Sequence, residues 1–298
     1  MNAFEELKRF FRRGGALTQL ILINVGIFLV LKILGVGFFL FRQENLEQVV
    51  LGFLALPADP GRILLRPWTI VTYMFLHYGF FHVLFNMLWL YWFGKIFLEH
   101  LNARKLLSVY LLGGLAGGVV YVLSYNIFPA FRESLPNAVA LGASAAILAV
   151  VMSIAFYVPN YSIHLMFIGQ IKLKHIAWIT ILIDILSIRS ENAGGHLAHL
   201  GGALFGVLYA LQLKGGRDMT GGFSRFMDNL ASLFRKRPGT MRVRYRKSPG
   251  QPETDREYNA RKTQEQQQID RILDKISKSG YNGLSKEEKE ILFRSNKK

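Results

Sequence analysis

The chain has 298 residues, 51% of them hydrophobic, and a mean hydropathy of +0.24; its apolar runs approach twenty residues, which excludes an ordinary soluble domain and reads as membrane spans. The net charge of +16 does not mark a nucleic-acid binder, because residues 212–298 hold 21 Lys+Arg against 11 Asp+Glu, about +10 of the total, leaving about +6 on the apolar body. With no cysteine, a disulfide framework or thiolate metal site is excluded.

Taken in order, Phe4, Leu7, Phe10 and Phe11 alternate with Lys8, Arg9, Arg12 and Arg13 over residues 1–15. That spacing predicts a short amphipathic helix on the inner membrane surface, and its mixture of acids and bases is not that of a secretory signal. The first span is predicted over residues 17–34, with Lys32 snorkelling at its far end. Residues 35–68 read as a long outside loop partly buried in the interface. The second span covers 80–98, and Lys95, Glu99, Arg104 and Lys105 mark an inside turn. The third covers 106–128, where Gly113, Gly114, Gly117 and Gly118 offer a close-packing face. After an outside loop at 129–140 come the fourth span (142–158), an inside turn with Lys172 and Lys174, and the fifth span (176–188). The polar turn Arg189-Ser190-Glu191-Asn192 leads to the sixth span (194–213).

Six spans with both termini in the cytoplasm satisfy the positive-inside rule at every inner turn. The predicted fold is therefore an all-α membrane bundle of six transmembrane helices over 16–213, followed by a small cytoplasmic helical region. In residues 214–268, Phe223, Phe226, Met227, Leu230, Leu233 and Phe234 follow helical spacing up to Arg235-Lys236-Arg237. They predict a basic amphipathic helix on the inner leaflet, then a flexible basic linker from 238 to 268. In residues 269–298, Ile269, Ile272, Leu273 and Ile276 form a helix face ended by Gly280. Ser285-Lys286-Glu287-Glu288 is a capping box opening a second helix, so a small hairpin is expected.

The topology places His82, Ser144 and His199 near the outer ends of spans two, four and six, at similar depth. Polar groups inside a membrane are costly and persist where they pair or react. Ser144 opens the fourth span within a small-residue turn, a context equally used for close helix packing. A serine there can serve as a nucleophile if a base takes its proton, and His199 can be that base. His82 and Asn86 lie four apart on one helix face, and with the Ser144 backbone N–H they can form an oxyanion hole. Gly142 carries the turn before the serine. Gly202 and Gly206 allow close approach to a neighbouring helix, and if that neighbour is the Ala145/Ala149 face, Ser144 and His199 meet.

These residues carry a resemblance. Trp68, His77, the His82-x-x-x-Asn86 pair, Gly142-x-Ser144 and Ala198-His199-x-Gly201-Gly202-x-x-x-Gly206 occur in the order found in rhomboid intramembrane serine proteases, which the chain resembles over roughly residues 15–213. The resemblance implies a Ser144–His199 dyad and an oxyanion site of His82, Asn86 and the Ser144 N–H. It further implies a water-filled cavity open to the outside, and single-span membrane protein substrates cut in or near their span, in a bacterial plasma (inner) membrane. No cofactor, metal or nucleic acid is expected; the partners are lipid and substrate, and nothing in the C-terminal tail names what it binds.

Three positions depart from the family pattern. Thr69 follows Trp68 where arginine is usual, which bears on how the first loop is anchored. Ala145 follows the serine where glycine is common. Leu148 stands one turn after Ser144, where an aromatic often stacks on the base histidine, so His199 needs another orienting group. Asp184 is the candidate, although an intramembrane acid reads first as a protonated group bonded to a neighbouring helix. His77 reads as a brace beneath the outer surface, and His196 as structural or cavity-lining.

Three other functions compete with this reading. A metal-dependent protease or transporter would use convergent His77, His82, His196 and His199, but the chain has no His-Glu-x-x-His helix. A non-catalytic rhomboid-like binder of membrane helices usually lacks nucleophile or base, and this chain retains both. A solute transporter should show internal repeats with broken helices, and none is visible.

Overall fold

The computed structural model describes residue 11 and residues 14–43, 45–165, 169–190, 192–234 and 255–295. The amphipathic segment expected at 1–15 lies almost wholly outside the described residues, as do Arg235-Lys236-Arg237 and the linker up to residue 254. The chain divides into two compact units, residues 1–235 and 236–298.

Among the described residues, four helices of the first unit are long and apolar enough to cross a membrane: α1 (Ala16–Leu40), α5 (Phe80–His100), α6 (Ala103–Ile127) and α9 (Ala193–Lys214). Between α1 and α5 lie α2 (Asn45–Leu54), α3 (Pro60–Leu65) and the single turn α4 (Thr69–Thr72). α7 (Ser144–Tyr157) and α8 (Leu173–Leu186) have 14 residues each. At about 1.5 Å per residue they fall short of a hydrocarbon core of roughly 30 Å. The stretches predicted as the fourth and fifth spans thus form helices shorter than a full crossing.

Two expectations for the segment before α5 change. α1 runs on to Leu40 because Val36, Phe39 and Leu40 continue its exposed apolar surface. The segment read as an outside loop is largely helical: Asp59 caps α3 by accepting from the Gly61 N–H at 2.8 Å, with Pro60 pre-set at its start. Its anchoring does not need an arginine after Trp68. The Trp68 indole donates to the Phe53 carbonyl at 2.8 Å, and the Thr72 hydroxyl to that of Leu54 at 2.6 Å.

α7 is the centre of the unit. Ala149, Val150, Val151, Met152 and Ile154 are all completely buried. A helix surrounded by protein on all sides has no lipid face to match to the bilayer, which is why its sequence shows no amphipathic stripe. Lipid supplies no hydrophobic force between helices, so close packing must hold them. Glycines provide it from two directions. A β-carbon on Gly117 of α6 would lie 2.6 Å from that of Ala145, and one on Gly113 would overlap that of Ala149. From α9, Gly202 and Gly206 press against the carbonyl oxygens of the same two alanines.

Short β-pairings tie the loops down. Strand β1 (Leu56–Pro57) pairs antiparallel with β2 (Val139–Ala140), matching Leu56 to Ala140, and the Gly142 N–H donates to the Tyr73 carbonyl at 2.9 Å. The first loop is thereby fastened to the turn that precedes α7. A second hairpin, β3 (Ser162–Leu165) with β4 (Gly169–Lys172), leads into α8. The amphipathic helix α10 (Gly221–Phe234) contacts α6 through Ser108–Ser224 at 2.9 Å and Arg104–Asp228 at 3.6 Å, and Phe226 stays exposed.

The second unit is a hairpin of α11 (Asp255–Ser279) and α12 (Lys286–Ser295) around buried Ile272 and Leu284. The capping box forms as expected: the Glu288 N–H donates to Ser285 Oγ at 3.2 Å, and the Ser285 N–H to Glu288 Oε2 at 2.8 Å. The expected linker is too long, however, because residues 255–268 are helical. That stretch is rich in Glu, Gln, Arg and Lys, good helix formers with no apolar stripe, so periodicity could not reveal it.

Candidate active site

Ser144 is the first residue of α7, where backbone N–H groups have no partner within the helix and the dipole is positive. The turn before it uses Gly142 at φ 134°, a conformation that side-chain-bearing residues rarely adopt. Because α9 packs backbone to backbone on α7, His199 is brought to the serine. Its Nε2 stands 2.6 Å from Ser144 Oγ. The two helices thus unite residues that are 55 positions apart.

The other nitrogen of the same ring is also engaged. His199 Nδ1 lies 2.8 Å from Asp184 Oδ1, and His196 Nδ1 lies 2.8 Å from that same oxygen. Asp184 belongs to the inward stripe of α8 with Leu173 and Ala177, all three buried. His196 and His199 are three apart on α9, so both rings reach one point on α8. Asp184 does bond to a neighbouring helix, as its position suggested, and its two partners there are these histidines.

His82 and Asn86 come from α5. A β-carbon on Gly142 would sit 3.2 Å from His82 Nε2 and 3.4 Å from Ser144 Oγ, which places the imidazole beside the serine turn. Asn86 is 8% exposed, and its Nδ2 has no hydrogen-bond partner among the described residues, so it is a free donor. Both side chains line, with Ser144, Asp184 and His199, a cavity of about 770 Å³ walled by Tyr78, Phe81 and Trp89. His77 is buried and packs edge-on against His82, ring centres 5.1 Å apart. Leu148 is buried and offers no aromatic stack to His199.

Asp184, His196 and His199 bring three donor atoms within 4.8 Å of one another. Their 2.8 Å separations are hydrogen-bond lengths, tighter than the roughly 3.3 Å between ligands around tetrahedral zinc. The arrangement suits a proton relay: a hydroxyl donating to one imidazole nitrogen while the other donates to a carboxylate.

Residues 65–215, half of the chain, match the family described as Rhomboid domain. The chain belongs to the rhomboid family. A second match, to the family of unknown function DUF6576, covers residues 253–298, the C-terminal hairpin. Among curated relatives, the mitochondrial RHOMBOID-like protein 12 of Arabidopsis thaliana is 27% identical over 211 residues, 66% of this chain and 58% of that protein. Rhomboid protease GlpG of Salmonella choleraesuis (strain SC-B67) is 28% identical over 109 residues, 36% of this chain and 35% of that one. This rhomboid chain therefore spans about a third to just over half of the length of the relatives it matches. The contact of Asp184 with His199 and His196 is only weakly marked in the sequence, because nothing in the spacing of Asp184 reveals that α8 turns it toward α9.

Proposed function

We propose that this rhomboid chain is an intramembrane serine endopeptidase that cleaves single-span membrane proteins in or near their transmembrane segment. The observation that carries the reading is the 2.6 Å contact between Ser144 Oγ and His199 Nε2 at the edge of the cavity. In the proposed reaction His199 takes the serine proton as Oγ attacks the scissile carbonyl carbon. The oxyanion of the tetrahedral intermediate is received by Asn86, His82 and the Ser144 backbone N–H. His199 then returns the proton to the leaving amine, and a water activated by the same ring hydrolyses the acyl-enzyme.

The body is proposed to cross a bacterial plasma membrane six times, α7 and α8 supplying the two shorter passages, with both termini in the cytoplasm. Lys and Arg at the inner turns and in the tail support that orientation. The mouth of the cavity, near the start of α7, then faces outward. The competing reading, a non-catalytic binder of membrane helices, is disfavoured by nucleophile and base being present and in contact.

Ser144→Ala and His199→Ala are each expected to abolish cleavage of a model single-span substrate in detergent or liposomes while leaving the thermal unfolding of the protein in place. A fluorophosphonate should label the wild-type chain and not Ser144→Ala. Continued cutting by either variant would refute the pair as nucleophile and base.

A further inference from the structure

The proposed reaction uses one imidazole, yet behind it stand a second imidazole and a carboxylate. Asp184 is the one carboxylate in the interior of the apolar helices α1 and α5–α9, since Glu99 lies in the last turn of α5. A buried carboxylate is expensive to keep in an apolar helix unless it is paired. Asp184 is 5% exposed, and Oδ1 faces two ring nitrogens of α9 at 2.8 Å each.

We propose that Asp184 is the positioning residue of the base: it holds His199 in the tautomer protonated at Nδ1, and His196 holds Asp184 in place. The inference rests on the reading of Ser144 and His199 as nucleophile and base. A neutral imidazole carries one N–H. For Nε2 to accept the serine proton, that N–H must be at Nδ1, and an acceptor 2.8 Å from Nδ1 stabilises this form over the other. When Nε2 gains the proton, the imidazolium lies against a carboxylate and is stabilised where it forms.

The same contacts answer the loss of the aromatic stack. With Leu148 one turn after Ser144, no ring lies there to fix the imidazole plane. Here His199 is held at both ends, by Ser144 at Nε2 and by Asp184 at Nδ1. His196, one turn earlier on α9, donates to the same Oδ1. Two donors on one oxygen prevent the carboxylate from swinging toward the cavity, and they pin α8 to α9 at the level of the reacting atoms. In this chain the Ser-His pair is completed as a Ser144–His199–Asp184 relay.

The test uses the full chain in detergent with a model single-span substrate. Asp184→Asn is expected to lower kcat at least about ten-fold with KM little changed, and His196→Leu to lower it by less. Histidine ¹⁵N NMR of the wild-type protein at neutral pH should show the His199 proton on Nδ1. A smaller loss in a folded Asp184→Asn variant overturns the inference, and so does a wild-type His199 protonated on Nε2. If Asp184→Asn does not fold, the wild-type tautomer alone decides. Should Ser144→Ala still cleave, the serine mechanism itself falls; should Ser144→Ala be dead while Asp184→Asn keeps full turnover, only the role of Asp184 does.

Discussion

Gly202 lies against the carbonyl oxygen of Ala145 with no room for a β-carbon between them. On its other side Ala145 meets Gly117, so α7 cannot retreat from α9 without colliding with α6. This confinement sets the separation at which Ser144 and His199 touch.

Gly202→Ala is accordingly expected to destabilise the protein by at least about 1–3 kcal/mol, the usual cost of overpacking, and to abolish fluorophosphonate labelling. Gly26→Ala in α1, where a β-carbon meets nothing within 4 Å, should leave labelling unchanged and raise Tm slightly. Equal behaviour of the two variants would contradict the packing argument.

Two buried asparagines should fail in opposite ways. Asn86 Nδ2 has no hydrogen bond to lose, so Asn86→Ala is expected to lower kcat about 10²–10³-fold with Tm nearly unchanged. Asn24 in α1 donates to the Leu20 carbonyl at 2.8 Å and to the Tyr110 hydroxyl at 3.2 Å, and Tyr110 donates in turn to the Met74 carbonyl. Asn24→Ala should cost about 1–3 kcal/mol and leave kcat near wild type. Steady-state kinetics and thermal unfolding on the same preparations separate the two.

Acid should weaken the join between the end of α9 and the start of α6. Partial burial opposes ionisation of Asp218, but the Thr220 hydroxyl and N–H, with Lys105 at 3.3 Å, outweigh it and hold the carboxyl below its ordinary range. A carboxyl depressed in the folded state adds stability above its unfolded-state pKa and loses it as pH falls through the folded value. The Tm advantage of wild type over Asp218→Asn should therefore be constant down to about pH 5 and shrink below about pH 4. An advantage that grows on acidification would reverse the assignment.

In the C-terminal hairpin, Ser285→Ala removes the acceptor of the Glu288 N–H. Hydrogen exchange at the first turn of α12 should accelerate about five-fold, the equivalent of a lost N-cap of ~1 kcal/mol, while α7 is unaffected. Unchanged protection would mean that the cap carries no stability.

Much of this was legible in the chain. Apolar runs with basic inner turns mark the helices, and the Gly142-x-Ser144 and Ala198-His199 motifs mark the pair proposed as nucleophile and base, because those signals are local. The Gly202/Gly206 face could be read too, but only as a condition on which helix lay opposite. Three things escape the periodic signal. The first loop is helical because it lies over the bundle and is pinned by Trp68, Thr72 and the β1–β2 pair. The stretch 255–268 is helical through propensity without an apolar face, a pattern that periodicity cannot detect. Asp184 finds His199 and His196 only because α8 turns its narrow buried stripe toward α9, and an isolated aspartate in an apolar run carries no signal of direction. Spacing along one helix determines which side chains share a face; which face meets which is decided by packing among helices distant in sequence.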